Sequence, residues 1–360
     1  MSDPEGDELN ASPALLDVRD LRVVYPGKRS FLTRSPDVRA VDDVSFSIAS
    51  GETLGLVGES GSGKSTVGRA ILRFLQPAGG EIWFDGTSLA TFGSSTPDSY
   101  RRGVQVVFQD PYASLNPRRS VGATIGDPLT RHRGMNGADR DAEVSVLLDR
   151  VGLAGRFAHR FPVELSGGQR QRVAIARALA MQPRLIVCDE AVSALDVSTQ
   201  SQVINLLEDL QEQFGMSYLF IAHDLAVVKH ISHRIAVMYR GKIVESGESG
   251  RVYHEPAHPY TQMLIDAVPE PHPRRQKQRR QARRAHGAAA GPEAARSAAT
   301  ATGTGCVFAP RCAYAMEVCV TETPPVTPMP DGGAVACHLQ TSGPRLGGKP
   351  LAAIVGNAVS

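Results

Sequence analysis

The stretch Gly58-Glu59-Ser60-Gly61-Ser62-Gly63-Lys64-Ser65-Thr66 constrains this chain more than any other. It follows a short apolar run, Thr53 to Val57, and opens a segment in which Val67, Ala70, Ile71, Phe74 and Leu75 are spaced as one helix face. The order is therefore strand, glycine loop, helix, which is the context a phosphate-binding loop requires. Gly58, Gly61 and Gly63 let the backbone turn tightly and aim its N–H groups inward. The helix N-terminus adds partial positive charge where a polyphosphate would sit. Lys64 can then reach the β- and γ-phosphates and Ser65 can hold magnesium, with Ser60, Ser62 and Thr66 lining the same cradle.

At 360 residues, 42% hydrophobic and 21% charged, the chain can build a substantial core in one large domain with an appendage, or in two domains. A formal net charge of +2 predicts no strongly charged partner such as nucleic acid. No run approaches the ~18 apolar residues of a membrane-spanning helix, and Met1 to Pro13 is acidic and polar where a signal peptide would be basic and then apolar. The expectation is a cytosolic protein that meets a membrane only through partners.

Residues 1–13 read as disordered. Leu16, Val18, Leu21, Val23 and Tyr25 suggest a strand, and Val44, Phe46 and Ile48 a second, so the opening predicts a small antiparallel β layer. Ile82-Trp83-Phe84 before Asp85-Gly86, and Val104 to Gln109, give further strands. From about residue 112 to 165 the pattern turns helical, with Val144, Leu147, Leu148 and Val151 on one face. Leu185 to Cys188 and Tyr218 to Ala222 are continuous apolar runs of the buried parallel kind. The helix between them carries Val203, Ile204, Leu207, Leu210 and Phe214 and has Gly215 as its C′ residue. Strands alternating with helices imply a parallel α/β sheet. Ile235 to Met238 and Lys242 to Glu245 read as a closing hairpin. The core thus spans 14–250, followed by 251–273, a basic and alanine-rich linker at 274–303, a cysteine-rich region at 304–345 and a tail at 346–360. The basic run Arg274 to Arg284 reads as a solvated tether rather than a lipid or nucleic-acid contact.

Asp189 and Glu190 end the apolar run Leu185 to Cys188. An aspartate delivered there completes a magnesium shell, and the neighbouring carboxylate can orient an attacking water, the minimum equipment for phosphoryl transfer to water. Leu165-Ser166-Gly167-Gly168-Gln169 then supplies a hydroxyl, free N–H groups and a helix start, a second anion receptor or a plain helix cap. With these residues in register, the chain resembles the ATP-binding cassette family, whose signature is LSGGQ. The resemblance implies an α/β P-loop NTPase core with an antiparallel β subdomain and a helical insertion. It also implies that two cassettes sandwich ATP head to tail, each offering Ser166 to the nucleotide of the other. Gln109 matches the Q-loop that senses magnesium and the γ-phosphate, Ser193-Ala194-Leu195-Asp196 the D-loop, and His223 the switch histidine. Tyr25 is the candidate for stacking on adenine.

Pro256-Ala257-His258-Pro259-Tyr260-Thr261-Gln262-Met263-Leu264 resembles the PxHPYTxxL segment of oligopeptide and dipeptide importers, and Pro111 to Arg118 resembles the same subfamily. Gly58 through Arg73 looks closer to the second of the two ATPase subunits such systems carry, which implies a heterodimer. The implied partners are that other subunit, two transmembrane permeases and, indirectly, an extracytoplasmic binding protein. The implied place is the cytoplasmic face of the membrane. Cys306, Cys312, Cys319 and Cys337 have gaps of five, six and seventeen residues, unlike the pairs with two to four intervening residues usual for structural zinc. Resemblance to importer subunits with a [4Fe-4S] cluster in this region tips the expectation toward that cluster over zinc, the alternative being four reduced thiols. Cys188, inside its strand, is excluded as a ligand. The competing function is a soluble cassette ATPase acting on nucleic acid or ribosomes, for which the basic linker is the only hint; nickel or another small solute remains open as cargo.

Overall fold

The computed structural model describes residues 14–27, 36–110, 114–268, 305–341 and 351. Residues 1–13, the basic linker and nearly all of the tail, with Pro111, Tyr112 and Ala113, lie outside the described residues. The strands are β1 (Leu16–Tyr25), β2 (Val38–Ile48), β3 (Thr53–Val57), β4 (Gly79–Phe84), β5 (Thr87–Ser88), β6 (Val104–Phe108), β7 (Leu185–Asp189), β8 (Ser217–Ala222), β9 (Arg234–Tyr239), β10 (Lys242–Glu248), β11 (Val326–Pro328) and β12 (Ala334–Ala336). The chain forms two compact units: residues 1–23, 43–53 and 69–219, and residues 24–42, 54–68 and 220–360.

In the first unit β2, β1, β4 and β5 lie side by side in that order, with β1 antiparallel to β4 from Leu16 opposite Phe84 to Arg22 opposite Gly79. The register slips between Arg19 and Arg22, where Asp20 takes φ 47° and its N–H donates to Ser45 Oγ at 2.8 Å. That bulge explains why the buried positions run Leu16, Val18 and then Leu21, Val23, out of strict alternation. β6 and β7 pair in parallel, Val104 opposite Leu185 through Phe108 opposite Asp189. Helices Val121–Arg133, Gly137–Arg150, Gly167–Leu179 and Val197–Phe214 belong to the same unit. The first begins at Ser120, whose hydroxyl accepts from Ala123 N at 3.2 Å, and ends at Gly134 in the left-handed region. Gly137–Arg150 buries Val144, Leu147 and Leu148, each worth about 1.5–3 kcal/mol. Gly215 closes Val197–Phe214 with φ 65°.

One sequence expectation fails here. The helix after the glycine loop runs Lys64–Ile71 and does not continue to Leu75. Arg73 turns left-handed at φ 57° and its guanidinium donates to the carbonyls of Phe92 and Gly93 at 3.2 and 2.9 Å. Phe74 is left 61% exposed. A tertiary hydrogen-bond pair therefore ends the helix where periodicity alone would extend it.

In the second unit the order is β11, β12, β10, β9, β3 and then the end of β8. β3 runs parallel to β9, Leu54 opposite Arg234 to Val57 opposite Val237, and β9 and β10 form the expected antiparallel hairpin. All five residues of β3 are buried, as a strand covered on both faces requires. β10 also pairs with β12, Glu245 opposite Val335, so the cysteine-rich region is sewn onto the edge of this sheet. Ala257, Met329, Val335, Cys337, Leu339 and Leu351 pack together beneath it.

Candidate nucleotide site

The residues expected around one nucleotide divide between the units. Tyr25, the loop 58–66 and His223 belong to the second; Gln109, Ser166 to Gln169, Asp189 and Glu190 belong to the first.

The loop is shaped by close backbone approach. A Cβ on Gly58 would stand 2.1 Å from the carbonyl oxygen of Met238, and one on Gly63, at φ 106°, would stand 2.3 Å from that of Ala40. No other residue fits either position. Gly241 N donates to Ser62 O at 2.8 Å, tying the hairpin turn to the loop. Lys64 is buried, and its ammonium donates to the carbonyls of Gly58 and Glu59 at 2.8 and 2.9 Å, with Ser62 Oγ at 3.4 Å. Its helix begins at this lysine, so a cation and the positive end of a helix dipole lie together at the end of the loop. His223 follows β8 and is exposed, ahead of the helix Leu225–Ile231 that Asp224 caps by accepting from Ala226 N at 2.8 Å. Tyr25 ends β1 and is 40% exposed, so its ring is not part of the core.

Two residues that the sequence left without a role support this loop. Glu59 N–H donates to Tyr260 Oη at 2.8 Å, and Tyr260 is buried with its ring 4.6 Å from that of Tyr239. Arg311 holds the Glu59 carboxylate with both terminal nitrogens, at 2.6 and 2.8 Å. The segment carrying Tyr260 is anchored by Glu245, which is fully buried: it accepts from Ala257 N and His258 N, each at 2.9 Å, and pairs with Arg251. His258 Nδ1 accepts from Tyr260 N at 3.0 Å, and burial pushes its pKa down to about 3, so it stays neutral. The PxHPYTxxL resemblance flagged Tyr260's segment; nothing in the sequence singled out Arg311.

In the first unit the parallel register ends β6 and β7 together, placing Gln109 and Asp189 at the carboxyl ends of two neighbouring strands. Glu190 takes φ 51°, a conformation that costs a non-glycine residue about 1–2 kcal/mol, and its carbonyl accepts from Ser193 N and Ser193 Oγ at 3.1 and 3.0 Å. Ser166 caps the helix Gly167–Leu179: its hydroxyl accepts from Gln169 N at 3.3 Å, and Gln169 Oε1 accepts from Ser166 N at 3.0 Å. Gly168 has a packing reason as well, since a Cβ there would lie 2.4 Å from Thr199 Cγ2. Asp196 caps the next helix, and hydrogen bonds from Ser198 and Thr199 hold its carboxyl far below the usual range.

The expected [4Fe-4S] cluster, or zinc in its place, gains no support from the structure. All four C-terminal cysteines are described, yet among the described residues no group of three or more His, Cys, Asp or Glu is placed to hold a metal ion. Burial is the leading cause that raises the thiols, Cys312 and Cys337 to about 12 and Cys306 in the same direction, with a smaller contribution from the neighbouring cysteines. Cys319 Sγ accepts from Met316 N at 3.5 Å, and Cys337 lies in the apolar cluster under the sheet edge. Cys188 is fully buried in β7.

A glycine-rich loop between a buried strand and a helix, with a serine-capped glycine signature elsewhere in the chain, defines an ATP-binding cassette. Residues 41–193 match the family described as ABC transporter, and residues 244–319 match the oligopeptide/dipeptide transporter C-terminal region. The chain is 47% identical over 330 residues to the probable peptide ABC transporter ATP-binding protein y4tS of Sinorhizobium fredii (strain NBRC 101917 / NGR234), covering 91% of each. It is 54% identical over 264 residues to the glutathione import ATP-binding protein GsiA of Escherichia coli (strain K12), which covers 73% of this chain and 42% of that longer protein. Among solved structures, the dimeric post-hydrolysis cassette MJ0796 bound to ADP and Pi matches with TM-score 0.57 and 30% identity, over 65% of this chain and 98% of that one. The fold is shared with cbiO1 of Clostridium perfringens, TM-score 0.59 over 76% of this chain and 98% of that one, at 24% identity. The chain belongs to the ABC transporter family and is an ATPase of that family. Within it, the chain is of the oligopeptide/dipeptide importer type.

Proposed function

We propose that the chain is the energy-coupling subunit of a peptide importer, working as one of a pair of cassettes docked on two transmembrane permease subunits at the cytoplasmic face of the membrane. The observation that carries this reading is the seating of Tyr260, within the region matched to oligopeptide/dipeptide transporters, against the backbone of the phosphate loop. The names of the Sinorhizobium and Escherichia relatives, peptide and glutathione import, support the cargo class. The pair is read as a heterodimer fed by an extracytoplasmic binding protein. Exposed apolar side chains on the helical insertion, Val146 at 42%, Phe161 at 42% and Val163 at 68%, support docking of a partner there.

In this reading Lys64 meets the β- and γ-phosphates, and the loop N–H groups from Gly58 to Thr66, with Ser60 and Ser62, wrap them. Ser65, Gln109 and Asp189 would hold magnesium, which neutralises charge on the transferring phosphoryl group. Glu190 orients the attacking water, His223 contacts the γ-phosphate, and Tyr25 stacks on adenine. Ser166, Gly167, Gly168 and Gln169 close the nucleotide of the other cassette. Among the described residues, no helix is long and apolar enough to cross a membrane. No observation favours action on nucleic acid or ribosomes, whose one hint, the basic linker, lies outside the described residues. Co-purification with two multispanning permeases, and ATP hydrolysis by that complex stimulated by short peptides, is the expected result. A chain that binds no permease and is instead stimulated by RNA would overturn the proposal.

A further inference from the structure

We propose that Arg311 is a positioning residue for the phosphate loop: it holds the Glu59 carboxylate so that this acid does not compete with an incoming polyphosphate for Lys64. The proposal rests on the reading of that loop as the ATP site.

Glu59 is an acid inside a loop that has to receive a polyanion. Its carboxylate takes both terminal nitrogens of Arg311, at 2.6 and 2.8 Å, in the two-pronged geometry that fixes direction as well as charge. The cations that act on this carboxylate are Arg311, the dominant one, and Lys64, whose ammonium already donates to the Glu59 carbonyl. Deprived of Arg311, the carboxylate would turn its full charge on Lys64 and on the phosphates.

Arg311 is itself held in place. Its guanidinium lies 5.8 Å from the Tyr239 ring centre and 6.0 Å from that of Phe308. Its N–H donates to Phe308 O at 3.0 Å, and the next residue, Cys312, donates to Ala309 O at 3.2 Å. Cys306 N donates to Cys319 O at 2.8 Å, so the cysteine-rich turn that presents Arg311 is closed on itself. The C-terminal extension thus reaches the nucleotide loop through one side chain.

The test measures magnesium-ATP affinity of the full-length protein by calorimetry, with steady-state ATPase kinetics and thermal unfolding alongside. Arg311→Ala is expected to bind ATP about three- to fivefold more weakly at low salt, the range of a half-exposed ion pair, with KM raised and kcat little changed. The deficit should shrink as salt screens the freed carboxylate. Glu59→Gln is expected to bind at least as tightly as wild type, and Glu59→Gln combined with Arg311→Ala to recover the lost affinity. A merely structural tether would not be rescued by removing the charge it held. Wild-type affinity in Arg311→Ala at low salt, or a double variant no better than Arg311→Ala alone, overturns the proposal. If Arg311→Ala does not fold, Arg311→Gln takes its place under the same two outcomes. Lys64→Ala distinguishes the premise: undiminished ATP binding in that variant overturns the nucleotide site itself, whereas loss there with no Arg311 effect overturns the clamp alone.

Discussion

Glu190 illustrates how much one residue's setting adds to its identity. Its carboxyl was legible as the partner of a magnesium aspartate, but the left-handed backbone that carries it, pinned by Ser193, was not. Glu190→Gln preserves size and polarity, so ATP binding is expected to persist while turnover falls by about 10²-fold or more, read by single-turnover hydrolysis. Near wild-type hydrolysis would take Glu190 out of the role. His258 makes a prediction of a different kind. Its folded pKa, about 3, lies below its ordinary 6.5, so the unfolded chain binds a proton that the native chain refuses. Stability is therefore full above pH 6.5 and declines as pH falls toward 3, by about 1.4 kcal/mol per pH unit from this group. His258→Asn, which can still accept from Tyr260 N, should flatten that part of the pH profile in chemical denaturation; an unchanged slope would show that His258 is not the group.

Among elements, the signature helix Gly167–Leu179 and the helix Val197–Phe214 meet where Gly168 leaves space for Thr199. Gly168→Ala is expected to cost about 1–3 kcal/mol of stability by overpacking. Thr199→Ser, which removes the offending methyl and keeps the hydroxyl bonded to Asp196, should restore most of it in the same denaturation experiment. From its motif alone Gly168 has only a phosphate-facing reason, because packing between helices leaves no trace in either helix alone. The strand β10 and the segment Pro256 to Tyr260 are joined through Glu245, fully buried and paired with Arg251. Glu245→Ala leaves Arg251 and two backbone N–H groups without that carboxylate, and a loss of about 3–5 kcal/mol is expected. A drop under 1 kcal/mol would show that Asp331, 3.0 Å from Arg251, carries the pair by itself.

At the level of the molecule, the C-terminal extension is part of the second unit. Its strands β11 and β12 continue the sheet from β10, and its arginine touches the phosphate loop. A chain ending before residue 305 would expose β10 as a long edge, and size-exclusion chromatography should show it associating where the full chain does not. What the sequence by itself determined is the local chemistry: which strand ends in which polar residue, where glycine is obligatory, and which serine or aspartate starts a helix. These follow from spacing within about ten residues, as the expectations for the loop 58–66, Asp189 and Glu190 did, whereas Gln109, His223 and the role of Ser166 came from the resemblance to the cassette family. What only the tertiary structure decided is everything set by partners distant in the chain. Arg73 ends a helix on the carbonyls of Phe92 and Gly93, and Tyr260 takes the N–H of Glu59. Cys319 and Cys337 are buried while Cys306 and Cys312 stay half-buried, and an arginine some 250 residues downstream pairs with the acid in the phosphate loop. Such contacts depend on which surfaces fold against one another, and no periodicity or spacing along the chain encodes that.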